Sequence, residues 1–111
     1  MVYHIMFMDT PVIDIETNEK NIVTHWEKHV PDSPIQPFWG ENIDTLRFFH
    51  FLKDRCYEDS RADLKDILAA HGMENNNPYE WCMKTHGVTY EDFFWIRYNE
   101  EEITWEDVRV R

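Results

Sequence analysis

The spacing of hydrophobic and polar positions changes along the chain, and the early part is typical of β-strands. Residues 2–8 (VYHIMFM) and 12–16 (VIDIE) are rich in β-branched and aromatic side chains. Residues 9–11 (DTP) are typical of a turn, so the two segments are predicted to pair as a hairpin. Residues 21–29 (NIVTHWEKH) fit either a third strand or a short helix.

Helical spacing replaces this pattern in the second half. Asp44 is a suitable N-cap for a helix over residues 45–54, where apolar residues recur about once a turn. Three further helix starts are indicated by a capping-box pair or by a proline in the first turn, at Ser60 with Asp63, at Pro78, and at Thr104 with Asp107. Gly72 and Gly87 mark the ends of the second and third helices. Residues 94–98 have the composition of a late strand.

The two halves are joined by residues 30–43, which are predicted to be a proline-bearing connection. Pro31, Pro34 and Pro37 prevent regular structure throughout this segment. The whole chain of 111 residues has the length of one domain, with residues 1–29 mainly strands and residues 44–111 mainly helical. The order predicts an α+β fold, in which antiparallel strands, as a hairpin or a three-stranded sheet, pack with three to four short helices.

The balance of charge limits the kinds of partner. The chain has 22 acidic residues against 11 basic ones, a net charge of −11, so direct binding to nucleic acid or to an anionic membrane is not expected. Either the acids serve solubility, or they form a surface complementary to a basic, nucleic-acid-binding protein. No apolar run approaches the ~20 residues of a membrane span, and no signal peptide is visible, so a cytoplasmic location in a bacterial host cell is expected.

Two groups of acids are the candidate partner-binding residues. The first falls within eight residues that contain no base and consists of Glu100, Glu101, Glu102, Glu106 and Asp107. The second surrounds the predicted second helix and consists of Glu58, Asp59, Asp63 and Asp66. Such carboxylates can occupy a basic groove on a DNA- or RNA-handling enzyme, with favourable electrostatic steering. The alternative interpretation of both groups is a solvated acidic surface.

Two short boxes near the C-terminus carry a resemblance to a known family. Gly87, Thr89, Asp92, Phe94 and Trp95 fit the pattern G-x-[ST]-x-x-D-x-[FY]-W, and residues 105–108 follow with WEDV. With these boxes, residues 87–110 resemble small mobile-element proteins of Gram-positive bacteria that are similar to the N-terminal region of HipA-type toxin kinases. The resemblance implies a binding or accessory module outside the ATP site, and it carries no catalytic residues over.

The residues of these boxes also have a structural interpretation. Trp95 and Trp105 are predicted to pack on the helices, and Asp92 and Asp107 lie where helix-capping carboxylates are expected.

Elements of enzyme sites are missing from the sequence, whereas one metal pattern is present. With three glycines there is no Gly-rich phosphate loop, and no G-x-S-x-G elbow occurs. Cys56 and Cys82 are predicted to be free thiols that pack like small hydrophobes. Two pairs of residues lie four apart, His25 with His29 and Cys82 with His86. If the segments that contain these pairs are both helical, the four side chains could together hold a structural zinc ion.

These observations lead to one leading hypothesis and two alternatives. The leading one is a small, acidic, non-catalytic inhibitor of phage or mobile-element type, comparable to an anti-CRISPR or antirestriction protein. It would dock an acidic and aromatic face on a basic, nucleic-acid-binding host defence effector. One alternative is an accessory module of a HipA-like toxin–antitoxin system that binds a kinase-like partner. The other is a zinc-stabilised interaction domain.

Overall fold

A four-stranded antiparallel sheet forms the centre of the molecule. The computed structural model describes residues 1–30, 37–38 and 42–110. The strands are β1 (Val2–Phe7), β2 (Thr10–Thr17), β3 (Val23–Lys28) and β4 (Phe94–Tyr98). They are arranged in the order β3-β2-β1-β4, with every neighbouring pair antiparallel. The predicted hairpin and the late strand are confirmed, and residues 21–29, which fitted strand or helix, contain a strand.

Four short helices accompany this sheet in the described part of the chain, which confirms the predicted α+β fold. They are α1 (Thr45–Lys53), α2 (Leu64–Ala70), α3 (Pro78–Thr85) and α4 (Trp105–Val108). The predicted caps of two of them are confirmed. The Asp44 carboxylate accepts the Arg47 backbone N–H at 2.8 Å, and Thr104 with Asp107 forms a capping box at α4. No helix among the described residues is long and apolar enough to cross a membrane.

One feature predicted between these elements is placed differently, and most of a second lies outside the described residues. The capping box at Ser60 is wrong, because Asp63 itself precedes α2, makes no side-chain bond to the helix, and contacts Arg61 at 2.5 Å. Most of the predicted connection at residues 30–43 lies outside the described residues, including Pro31 and Pro34.

The inner face of the sheet packs against α1 and α3 to form the main core. Alternate residues of a strand point to the same face, so β1 contributes Tyr3 and Ile5, while β4 contributes Ile96 and Tyr98. These residues meet buried side chains from α1, α3 and the neighbouring strand β2. The side chains are Phe48, Leu52, Trp81, Cys82, Ile13 and Ile15. This main core accounts for the strong apolar character of the central strands.

The outer face of the sheet carries a second, smaller cluster. Met6 and Trp95 are cross-strand partners there, and Trp105 at the start of α4 covers them. The Trp95 indole N–H donates to the Met8 carbonyl at 2.6 Å. Trp95 therefore packs on a helix, but on α4 through Trp105 and not on α1 or α3, because the alternation of β4 directs it to the outer face.

A buried arginine ties the end of α1 to the start of β4. Arg55 Nη2 donates to Asp92 Oδ1 at 2.6 Å and to the Phe94 carbonyl at 2.9 Å, and its Nε donates to the Gly87 carbonyl. Gly87 has a φ of 67°, and a Cβ there would lie 3.3 Å from both the Arg55 and the Ile96 side chain. Asp92 thus serves as the partner of a buried guanidinium and not as the helix cap predicted from its box.

Candidate functional site

Two of the acids predicted near the C-terminus are used inside the fold. Glu101 accepts the Tyr98 backbone N–H at 2.7 Å and lies 3.1 Å from His86 Nε2. Burial raises the pKa of Glu101, but these hydrogen bonds outweigh burial and hold the pKa below its ordinary value. Asp107 accepts the Thr104 backbone N–H at 2.8 Å. These two carboxylates therefore stabilise local structure and are poorly placed to contact a partner.

The remaining predicted acids divide into paired and unpaired groups. Asp59 accepts from Asn76 at 2.7 Å and from Lys53 at 3.0 Å, and these bonds hold the pKa of Asp59 below its ordinary value. Glu106 lies 3.0 Å from Arg109. Within the described residues, the predicted acids that are exposed and have no ion pair or side-chain hydrogen bond are Glu58, Asp66, Glu100 and Glu102. These four are the members of the predicted surface that stay available.

A groove of about 340 Å³ lies between the end of α1 and the segment before β4. Residues 54–57 form one side and residues 88–91 the other, and Trp81, Thr85 and Val110 complete the lining. None of the acids predicted as partner-binding residues lines this groove; its carboxylates are those of Asp54 and Glu91. No local sequence feature indicates the groove, since its walls are far apart along the chain.

The groove combines exposed aromatic rings with unpaired carboxylates. The Tyr90 residue is 84% exposed and Tyr57 is 38% exposed, and the Tyr57 ring packs edge-on against Trp81 at 5.6 Å between centroids. Asp54 and Glu91 are also exposed, and neither has a side-chain partner among the described residues. Aromatic rings beside free carboxylates suit a partner that offers both apolar and basic side chains.

The two cysteines lie beneath this groove as free thiols, as predicted. Both donate to the Leu52 carbonyl, Cys56 at 3.4 Å and Cys82 at 3.6 Å. A hydrogen bond with the Cys82 thiol lowers the pKa of Cys56, whereas the same contact and burial raise the pKa of Cys82. Cys56 is therefore the more acidic thiol, and it is also the one that lines the groove.

Comparison with known proteins found no matching family, curated protein or solved structure. The two boxes near the C-terminus therefore have to be interpreted from the structure itself. In the first box, Gly87, Asp92 and Trp95 are held by internal contacts, while Thr89 and Tyr90 line the groove. The box both supports the fold and supplies one wall of the candidate site.

The predicted zinc site is not assembled. His25 lies on β3, which is a strand and not a helix, and no described donor group that could hold a metal contains it. Cys82 is fully buried on the inner side of the sheet, and His86 pairs with Glu101. Because the first pair lies on an extended strand, its two side chains do not share one helical turn, and the four predicted ligands do not converge.

His29 instead joins a cluster on the outer face of the sheet that the sequence did not predict. Asp14 on β2 lies 2.6 Å from His4 Nδ1 through one carboxylate oxygen and 2.9 Å from His29 Nε2 through the other. His4 Nε2 lies 2.7 Å from the Asn99 carbonyl. The His4 ring thus lies between the Asp14 carboxylate and the Asn99 carbonyl. Glu27 completes the cluster as the cross-strand partner of Asp14.

This cluster gives a prediction for the dependence of stability on pH. Burial raises the pKa of Asp14, but the hydrogen bonds from His4 and His29 outweigh burial and leave the pKa below its ordinary value. A carboxyl whose pKa is lower in the folded than in the unfolded protein stabilises the fold at pH values above its unfolded-state pKa of about 3.9. This stabilisation is lost as the pH falls through the folded-state pKa. We expect Asp14→Asn to reduce the free energy of unfolding by about 1 kcal/mol at neutral pH and by much less at low pH.

Urea denaturation of both proteins at several pH values measures this difference. Glu16→Gln is the matched control, because Glu16 lies on the same strand and face and has no side-chain ion pair among the described residues. The control should track the wild type at every pH. If Asp14→Asn lowered the free energy of unfolding equally at neutral and at low pH, Asp14 would not act through its charge.

Proposed function

We propose that this chain is a non-catalytic binding module whose acidic and aromatic groove docks on a basic protein surface. The partner would be a nucleic-acid-handling effector, such as a bacterial defence nuclease. The chain would act by occupying the surface that nucleic acid otherwise contacts. The observation that carries the proposal is the groove itself, whose lining combines the exposed ring of Tyr90 with two carboxylates, Asp54 and Glu91, that have no side-chain partner in the described structure.

The use of the basic residues supports this proposal. The chain has 11 lysines and arginines, and several are engaged internally. In the described structure Arg55, Lys53, Arg61 and Arg109 each pair with an acid, and because each pair cancels one charge of either sign, the net charge of −11 stays on the other side chains. The remaining negative field favours and accelerates encounter with a basic partner, and it disfavours direct contact with phosphates.

The position of Asp54 is a second support. Asp54 is the C-cap of α1, where the backbone carbonyls at the helix end already carry negative partial charge. A carboxylate at that end costs about 0.3–1 kcal/mol of helix stability. A residue that weakens the fold but lines an exposed groove is better explained by binding than by stability.

Neutralising the groove carboxylates tests the proposal. Wild-type chain immobilised on beads is used to capture and identify partners from the cells that encode it, and binding is then measured with the purified partner. We expect Asp54→Asn combined with Glu91→Gln to weaken the dissociation constant by at least about 10-fold, because two charge pairs at the interface are lost. We also expect nucleic acid to compete for the partner, and added salt to weaken binding.

The control is a variant with the same change of charge at a distance from the groove lining. Glu16→Gln combined with Glu19→Gln removes two exposed carboxylates that do not line the groove. It should leave the dissociation constant within about 2-fold of the wild type, since only the overall field changes. Equal weakening by both double variants would count against the groove. Consumption of a substrate by the purified chain, abolished by a single substitution, would exclude a purely binding role.

A second candidate function has an observation of its own. Tyr90 and Phe93 are 84% and 50% exposed, and exposed aromatic residues are typical of contacts that depend on apolar burial. We propose as the alternative a module that binds its partner through apolar surface, such as an accessory module of a HipA-like toxin–antitoxin system with a kinase-like partner. For such a partner, Tyr90→Ala would weaken binding strongly, while salt and the loss of Asp54 and Glu91 charges would have little effect.

A further inference from the structure

Three side chains with metal-binding atoms converge on the outer face of the sheet. One oxygen each from Asp14 and Glu27 and one nitrogen of His29 lie within 4.8 Å of one another. Asp14 Oδ2 and His29 Nε2 are 2.9 Å apart. Ligand atoms of a tetrahedral zinc ion at about 2.1 Å lie roughly 3.4 Å from each other, so this hydrogen-bonded pair has to open by only about 0.5 Å to hold the ion.

The backbone holds these donors in place. Asp14 on β2 is the direct cross-strand partner of Glu27 on β3, and residues two apart on a strand share a face, which brings His29 to the same side. The pairing continues past the end of β3, because the His29 backbone N–H donates to the Val12 carbonyl at 2.8 Å. The three donors thus stand on paired strands and not on a free loop.

Charge and second contacts also favour a cation here. Two carboxylates face each other across the strands, which is unfavourable without a positive charge between them. Glu27 has no ion pair or side-chain hydrogen bond within the described part of the chain. His4 contacts the Asp14 oxygen that does not face His29, at 2.6 Å, and so orients the carboxylate. Groups that orient a ligand in this way are usual around protein metal sites.

We propose that Asp14, Glu27 and His29 bind one divalent metal ion of the zinc type. One imidazole nitrogen and two carboxylate oxygens suit zinc and its neighbours in the first transition series, and solvent can complete the coordination at this partly exposed surface. His4 is a positioning residue that holds Asp14. The site shares only His29 with the zinc site predicted from sequence, and none of its three ligands lines the groove.

Metal titration of the full chain tests this site. Protein freed of metal with a chelator is titrated with Zn²⁺ and, separately, with Co²⁺, and heat and stoichiometry are measured by calorimetry. We expect one equivalent to bind. Loss of the orienting partner in His4→Gln should weaken affinity by about 10-fold. Loss of a ligand in Asp14→Asn or His29→Gln should weaken it further, by about 100-fold or more.

The neighbouring cross-strand pair on the same face provides matched controls. Glu16 and His25 pair directly across β2 and β3, yet they are not part of the convergent group. Glu16→Gln and His25→Gln should bind Zn²⁺ as the wild type does. Circular dichroism of every variant shows whether the fold is kept.

Nuclear magnetic resonance of the histidine ring nitrogens separates this site from binding elsewhere. On addition of Zn²⁺, the largest ¹⁵N shift should be at His29 Nε2. Absence of saturable binding would overturn the proposal. The proposal would also be overturned if His25→Gln weakened Zn²⁺ affinity as much as His29→Gln does. The same holds if added Zn²⁺ shifted the resonances of Cys56 and left those of the His29 ring unchanged.

Discussion

Replacing Arg55 by alanine is expected to lower the free energy of unfolding by about 3–5 kcal/mol, because it removes a partly buried ion pair and leaves two backbone carbonyls without a donor, at about 1–3 kcal/mol each. The Arg55 side chain is only 5% exposed and contacts Asp92, two backbone carbonyls and the Phe51 ring. Its loss leaves Asp92 without its countercharge and the Gly87 and Phe94 carbonyls without a donor. Because small domains have about 5–15 kcal/mol of stability in total, urea denaturation should show a large shift of the midpoint.

An exposed arginine–carboxylate pair in the same molecule is the control. Arg61 contacts Asp63 at 2.5 Å and its guanidinium lies 4.5 Å from the Tyr57 ring centroid, but the pair is exposed to solvent. Arg61→Ala should therefore leave the urea midpoint close to that of the wild type. Arg55→Lys should fall between the two, since one ammonium cannot reproduce the forked contact. Similar small losses for both alanine variants would mean that Arg55 does not hold α1 to β4.

Replacing Trp95 by alanine is the other change with a large expected effect, again about 3–5 kcal/mol. Trp95 is fully buried between Met6 and Trp105, and it joins β4 to α4 on the outer face of the sheet. Alanine would leave a cavity there and remove the donor to the Met8 carbonyl. Chemical denaturation followed by circular dichroism measures the loss without relying on tryptophan fluorescence.

Two further substitutions separate packing from hydrogen bonding at this position. Trp95→Phe keeps much of the ring but not the indole N–H, so it should cost more than about 1 kcal/mol while remaining milder than alanine. Trp26→Ala removes a partly buried tryptophan on the edge strand β3 and should also cost less. If Trp26→Ala destabilised the protein more than Trp95→Ala, the outer cluster would not be a second core.

The architecture was predictable because local signals agreed with the final contacts. Strand composition, the Asp44 cap and the Thr104–Asp107 capping box are local features, and each is found where the sequence indicates it. The strand at residues 21–29 could not be distinguished from a helix, because its apolar residues are few and it lies at the sheet edge, where only one side is paired. Tertiary pairing with β2 decides its conformation.

The candidate sites were much less predictable, because they depend on register and on partners distant in sequence. Nothing local to Asp14 indicates that β2 will place it between His4 and His29. The acidic groups were visible in the sequence, but their internal use was not. Glu101, for example, accepts a hydrogen bond from His86, which lies 15 residues earlier and across the fold.

Site-specific photocrosslinking inside cells shows whether a partner sits in the groove beside Tyr90. A photoreactive phenylalanine analogue is introduced at Tyr90 or, as the control, at Leu46, an exposed apolar residue of α1 that does not line the groove. We expect a covalent adduct with one basic protein from position 90 and none from position 46. Adducts from position 46 alone, or from neither position while the partner is still retained, would mean that the groove is not the binding site.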